Sequence, residues 1–319
     1  AIGYEALGAN TTGGFNTAVG RDSLKANTTG AYNVSVGANS ADALTTGGQN
    51  VAIGHAALGS DTKGSKTIAI GESALFAQNF TSATDTYNVA IGENAGTAVT
   101  TGVANILIGG LTGDALTDAD YNTAIGHQAL STDTLGSRSV ALGYFALRNQ
   151  NFTSATNSYN TALGFAAGEA ITTGVQNTLI GGLAGDANTT GANNTTLGYL
   201  SLTANTTGSG NVALGKAALE SNTTADNNTA VGKDTLRLNT TGHSNTAVGS
   251  LSGDAITTGA GNTAVGLGSL SATTTANFNT GLGYQSLLVN TTGAENTAIG
   301  SASLDANTTG AGNTAVGLG

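Results

Sequence analysis

The stretch "NTAIGSASLDANTTGAGNTAVG", residues 296–317, says one thing twice. It opens at Asn296 with Asn-Thr-Ala-Ile-Gly and closes at Asn313 with Asn-Thr-Ala-Val-Gly, seventeen residues later. Taking the closing glycine as a marker extends the pattern over the whole chain. Markers fall at 3, 20, 37, 54 and 71, at 92, 109, 126 and 143, and from 164 to 317 in regular steps. Of the eighteen intervals, sixteen have this same length, and two, Gly71 to Gly92 and Gly143 to Gly164, are longer by four. The repeat is the protein.

A period of 17 is too short for a helical hairpin or a propeller blade and fits one coil of a β-solenoid. The residue before each marker is aliphatic (Val19, Val36, Ile53, Ile70, Ile91), and two residues earlier stands Thr, Val or Ile. The residue between them is small, as in Ala18 and Ala52. β-Branched residues in alternation predict a strand. Four residues past the marker comes a second apolar position, usually Leu (Leu24, Leu58, Leu130, Leu236), and then "NTTG" turns the chain. The pre-marker aliphatic and this Leu are the expected core. Some coils put Gly in the Leu position and an aliphatic downstream (Gly96 and Val99, Gly113 and Leu116, Gly168 and Ile171, Gly253 and Ile256), a second way to fill the same slot.

The predicted fold is therefore all-β: a parallel β-solenoid (β-roll) of about 18 coils, forming one continuous repeat domain over 1–319. The 21-residue coils lie at 72–92 and 144–164. Coils stacked about 4.8 Å apart would make a rod of roughly 86 Å. Because the sequence starts and stops in mid-pattern, it is expected to be a segment of a longer fibre protein.

Asn stands four residues before the marker in all but two coils, where Thr67 and Ser139 replace it. The column Asn16, Asn33, Asn50, Asn88, Asn105, Asn122, Asn160 predicts a structural Asn ladder, amides hydrogen-bonding from coil to coil. The long coils carry the excursions "NFTSATDTYN" (79–88) and "NFTSATNSYN" (151–160), which recur four coils apart, so four coils were duplicated as a block. Their aromatics Phe80, Tyr87, Phe152 and Tyr159 are the candidate receptor contacts, since recognition residues concentrate on loops.

Composition narrows the function. Charged residues are 9% of the chain, the net charge is −10, and there is no Pro, Cys, Met or Trp. An acidic chain without a basic footprint does not suit nucleic acid or an anionic membrane surface. No run of eighteen apolar residues offers a membrane span. The absence of cysteine excludes disulfides and thiolate metal sites. His55 and His127 sit four coils apart, too far to share a metal. "GGLTGDAL" (109–116) and "GGLAGDAN" (181–188) do not keep the spacing of calcium-binding β-helix repeats. No nucleophile–base arrangement or phosphate loop is present, and carboxylates such as Glu72, Asp114, Asp186 and Glu220 scatter over different coil positions. Neither an enzyme nor a cofactor nor a metal is expected. The "NTT" triplets match the N-glycosylation pattern, as a Thr-rich turn does by composition alone.

The segments "NVAIG" (50–54, 88–92), "NTAIG" and "NTAVG" resemble the head coils of YadA-like trimeric autotransporter adhesins. The longer unit "NTAVGxxALxxNTTGxx" resembles repeats of bacteriophage tail-fibre proteins that end in an endosialidase-type chaperone domain. The resemblance covers the whole chain, although the adhesin coils are about three residues shorter. It implies an extracellular fibre shaft, on a virion or a bacterial surface, with a host or cell-surface glycan or protein as target. It also implies a side-by-side homotrimer packed through small and apolar strand residues, with the alanine column Ala18, Ala52, Ala69, Ala90 allowing close approach. The thin core leans the same way: two aliphatics per coil bury little apolar surface against the entropy of ordering seventeen residues. The competing expectation is an ice-binding β-solenoid that uses the stacked Thr pairs of "NTTG" as a flat array.

Overall fold

In the computed structural model, which describes residues 1–319, the chain is all-β without a helix. It is a parallel β-solenoid of 18 turns, each turn setting a strand beside its counterpart one repeat on, as Thr17 beside Val34. Two compact units, Ala1–Asn160 and Thr161–Gly319, share this construction. In the first, three-residue strands at Thr17–Val19, Val34–Val36, Val51–Ile53, Ile68–Ile70, Val89–Ile91, Ile106–Ile108, Thr123–Ile125 and Val140–Leu142 pair in parallel, each with the next. Two short pairs, Gly64–Ser65 with Thr84–Asp85 and Gly136–Ser137 with Thr156–Asn157, tie each long coil to the one before. In the second, ten strands from Thr161–Leu163 to Thr314–Val316 pair the same way, the register advancing by one repeat from each strand to the next.

Which side of the strand faces inward corrects the expectation. The pleat points successive side chains to opposite faces, and the middle residue is the buried one. Ala18, Ala52, Ala69 and Ala90 are buried, whereas Ile53, Ile91, Leu163, Leu282 and other pre-marker aliphatics are exposed. The alanine column thus lines the interior of its own solenoid and cannot mediate chain approach. The reason is steric. The interior is one side chain thick, and the strand can contribute only a methyl where the opposite arc contributes a leucine (Leu24, Leu58, Leu75, Leu202, all fully buried).

The exceptions keep this volume rule. Leu107 and Leu179 occupy the mid-strand position, and glycine then appears in the arc. A Cβ on Gly113 would lie 2.8 Å from a Leu107 methyl and 2.9 Å from a Leu116 methyl, and one on Gly185 would lie 3.0 Å from Leu179. The downstream aliphatics Val99, Leu116, Ile171 and Ile256 are fully buried, so they do fill the slot that the arc glycine vacates.

The arcs are bent by a regular use of left-handed backbone. Forty-five non-glycine residues have positive φ, and they fall in three columns: two and four residues after the marker, and five before it. Such φ costs an L-residue roughly 1–2 kcal/mol, and β-branched residues tolerate it least. In this Thr- and Val-rich chain, none of the forty-five is Thr, Val or Ile. The arc position is Leu rather than Ile because its backbone is left-handed (Leu24 φ 50°, Leu236 φ 48°).

The Asn ladder is present, and it bonds mainly to backbone. Asn33 Nδ2 donates to the Gly47 carbonyl (3.0 Å), and its Oδ1 accepts the backbone N–H of Asn50 (3.0 Å). Asn105 and Asn122 repeat the pattern, and Asn16 starts it with a bond to Gly30 (2.8 Å). Each amide satisfies a turn carbonyl and a strand-entry N–H that the strands themselves leave open. A second ladder, not anticipated from the sequence, is made by the Asn of "NTTG". Asn205, Asn222 and Asn239 each donate to the Asn one coil earlier at 2.9–3.1 Å, and each also closes its own turn by donating to the residue three ahead.

Candidate functional site

The two excursions are the places where a coil departs from its neighbours in length, and each has a buried half and an exposed half. The buried half explains the breaks in the Asn ladder. Thr67 and Ser139 immediately precede the long coils, in which Gln78 and Gln150 stand where several other coils carry the Asn of "NTTG". In place of the missing amide, Thr67 Oγ1 meets Thr86 Oγ1 at 2.7 Å, and Thr86 Oγ1 takes the Asn88 N–H (3.3 Å). Gln78 Nε2 donates to Asp61 Oδ2 (2.6 Å) and Thr67 Oγ1 (3.1 Å), and its Oε1 accepts from Asn88 (2.9 Å). Asp61 Oδ1 holds the loop by accepting the N–H groups of Gly64 (3.0 Å) and Phe80 (3.2 Å).

The second block rebuilds the network with Asp133, Gln150, Ser139 and Ser158. Gln150 donates to Asp133 (2.6 Å) and to Ser139 (2.8 Å), Ser139 meets Ser158 (2.6 Å), and Asn160 donates to Gln150 (2.9 Å). The ladder residues Asn88 and Asn160 therefore serve as the exits of the two loops.

Phe80 and Phe152 belong to the buried half. They are only 7% and 6% exposed, and the Phe152 ring lies where a Cβ on Gly136 would approach it to 2.8 Å. They pack their loops onto the solenoid and offer nothing to a receptor. Tyr87 and Tyr159, 56% and 51% exposed, stand outward, each beside a cation of the preceding coil. Lys66 Nζ lies 5.0 Å from the Tyr87 ring centre and donates to its hydroxyl (3.0 Å), while pairing with Asp85 (2.6 Å). Asp85, and then Tyr87, hold the Lys66 ammonium above the ordinary lysine value. Arg138 lies 5.9 Å from the Tyr159 ring and donates to its hydroxyl (3.4 Å).

The outward faces of the strands form the other extended surface. In the first unit, both outward columns are rich in aliphatics: Val34, Ile106 and Val140 in one, Ile53, Ile91 and Ile125 in the other, all exposed. In the second, Leu163, Leu197, Val248, Leu282 and Ile299 are exposed members of the pre-marker column, and the other column is Thr at every position but Val212. The "NTTG" pairs do not present two free hydroxyl rows. The first Thr of the pair donates to the next coil's carbonyl, as Thr28 to Thr45 (3.2 Å) and Thr206 to Thr223 (3.0 Å) do. No group of three or more His, Cys, Asp or Glu side chains could hold a metal ion, no cavity opens into either unit, and no helix is long and apolar enough to cross a membrane.

Burial of carboxylates has a consequence for pH. Loss of solvent pushes the Asp133 carboxyl above its usual range, against the pull of Gln150 and of the Phe152 and Gly136 N–H groups. Burial raises Asp42, Asp114 and Asp254 likewise. A raised carboxyl binds its proton more tightly in the folded than in the unfolded chain. Stability is therefore gained as pH falls through the raised values, reaches its full gain below the unfolded value of 3.8, and is lost again as pH rises. The guanidinium unfolding midpoint is expected to be higher at pH 4.5 than at pH 7, and Asp133→Asn to shrink the difference. A midpoint that falls on mild acidification, in both proteins alike, would refute the assignment.

No protein-family model matches the chain, and no curated protein matches it.

Proposed function

We propose that the chain is a shaft segment of an extracellular fibre, of a phage tail or a bacterial surface, built as a side-by-side trimer of solenoids. The observation that carries this reading is the unpartnered outer face of the strands. A soluble monomer rarely leaves a contiguous apolar surface open. Here every pre-marker residue in both units is Val, Ile or Leu, and none of them is buried. Side-by-side packing would bury these columns and supply the second apolar layer that a one-side-chain-thick interior lacks. The interface assigned to the trimer is thus the outward Val and Ile columns rather than the internal alanines. Such a shaft holds its form through stacked backbone bonds and needs no disulfide or proline. The outward tyrosines of the excursions are the attachment points.

Light scattering after size exclusion is expected to give close to three times the 30.9 kDa chain mass. Replacing Ile91 and Ile125 together by Glu should return the mass to that of one chain with the β circular dichroism kept, because both side chains already face outward. A folded single-chain species of the unsubstituted protein would overturn the trimer and, with it, the shaft reading.

A further inference from the structure

The two duplicated blocks are internal copies, so every difference between their exposed halves is informative. Gln49 corresponds to Tyr121, Lys66 to Arg138, Asp85 to Asn157 and Tyr87 to Tyr159. In the first block the cation is already spent on Asp85. In the second, Asn stands in place of that carboxylate, Arg replaces Lys, and a second tyrosine replaces Gln. The Arg138 guanidinium lies between two exposed rings, 5.3 Å from the centre of Tyr121 and 5.9 Å from that of Tyr159, and it makes no ion pair. Asp120, whose backbone carbonyl takes the Arg138 N–H (3.0 Å), has its own carboxylate engaged by the Val103 N–H (2.8 Å). Asn157 is exposed and its side chain has no hydrogen-bond partner.

We propose that Tyr121, Arg138, Asn157 and Tyr159 form a binding site for a glycan that carries a carboxylate. Apart from the one N–H that reaches the Tyr159 hydroxyl (3.4 Å), the guanidinium keeps its donors free, and these match a carboxylate in a two-point, charge-assisted pair. The flanking rings offer flat apolar faces to the C–H faces of adjoining sugars, with hydroxyls at their tips for polar contacts. Tyr121 and Tyr159 stand two coils apart, about 9.6 Å at the spacing of paired strands, a separation on the scale of a disaccharide. The site is a shallow row with no cavity, which suits a chain-like ligand lying across the surface. A nucleic acid, which would bring dense negative charge to a chain of net charge −10, is disfavoured. The first block, with Lys66 paired to Asp85, lacks the free cation that a carboxylate needs.

This assignment rests on the attachment role proposed above, and the test separates the two. The whole chain is applied to an array carrying carboxylate-bearing, sulfated and neutral glycans and acidic peptides, and the mass of each sample is measured in parallel. Retention on carboxylate-bearing glycans is expected. Arg138→Gln should weaken it at least tenfold, and so should Asn157→Asp, which restores the first block's carboxylate. Tyr159→Ala should also weaken it, whereas Lys66→Gln should leave it unchanged. Arg138, Asn157 and Tyr159 are exposed and Lys66 is half-buried at the surface, so mass and circular dichroism should not change. Retention only on neutral glycans, sulfated glycans or peptides would overturn the assignment, as would equal retention by Arg138→Gln and Asn157→Asp, or no retention at all. A trimer without glycan binding would sink this site alone, and a glycan-binding monomer would sink the shaft alone.

Discussion

Gly232→Ala is expected to lower stability more than any exposed substitution in the chain, although it adds a single methyl group. The marker glycine has φ near +137°, and a Cβ built on it would stand 2.7 Å from both the carbonyl carbon and oxygen of Gly249 in the next coil. The backbone conformation alone costs an L-residue about 1–3 kcal/mol. The overlap adds about 1–3 kcal/mol more, as overpacking does in a dense interior. Neither cost can be relieved locally, because the obstructing atoms are backbone that is itself fixed by the next coil. Guanidinium unfolding followed by circular dichroism should show a lower midpoint, or two transitions if the array parts at the damaged coil. Gly14→Ala is the control. Its Cβ would meet nothing within 4 Å, and its effect should stay within about 1 kcal/mol. Equal midpoints for the two variants would show that the marker glycine is not held by the contact between coils.

Asn228→Ala is the second large effect, and its cause is polar. Asn228 Nδ2 donates to the Gly242 carbonyl (2.9 Å), and its Oδ1 accepts the Asn245 N–H (2.9 Å), both in the buried interior. Alanine leaves a buried acceptor and a buried donor unpaired, at about 1–3 kcal/mol each. Asn228→Ser should do no better, because the hydroxyl of native Ser139 succeeds only where a long coil supplies Ser158 and Gln150 to complete the network. Hydrogen exchange at Asn245 gives the local readout. Its amide should be protected in the parent chain and exchange much faster in the alanine variant. Unchanged protection would mean that the ladder is ornament.

Period, strands and the first Asn ladder can all be read from spacing, because a solenoid converts sequence repetition directly into stacking. The facing of the strand could not be read the same way. In "TAV" and "VAI", both the outer and the middle residues are apolar, and alternation alone does not say which face is inside. The signal that decides it is compensation: the mid-strand residue becomes Leu only at Leu107 and Leu179, where the arcs carry glycine. A similar signal was available for the backbone. Three columns of a Thr-rich repeat never hold Thr, Val or Ile, which marks them as left-handed. The burial of Phe80 and Phe152 was not legible, since it depends on an aspartate in the previous coil capturing the Phe N–H. The cation–tyrosine pairs were hidden too. Lys66 and Tyr87, like Arg138 and Tyr159, stand a whole long coil apart in sequence and meet only once that coil has closed.

The ladder bonds carry a consequence for how such a chain comes to be folded. Nearly every backbone bond outside the tight turns links a residue to one about a single repeat away, as Thr229 N–H to Asn245 or Gly249 N–H to Val231. No contact waits for a distant part of the chain, so the search cost of closing long loops is absent. Each newly synthesised repeat meets a finished template the moment its last residue emerges. Assembly can then advance in the direction of delivery, one layer at a time, and a faulty layer halts it at a defined address in the sequence.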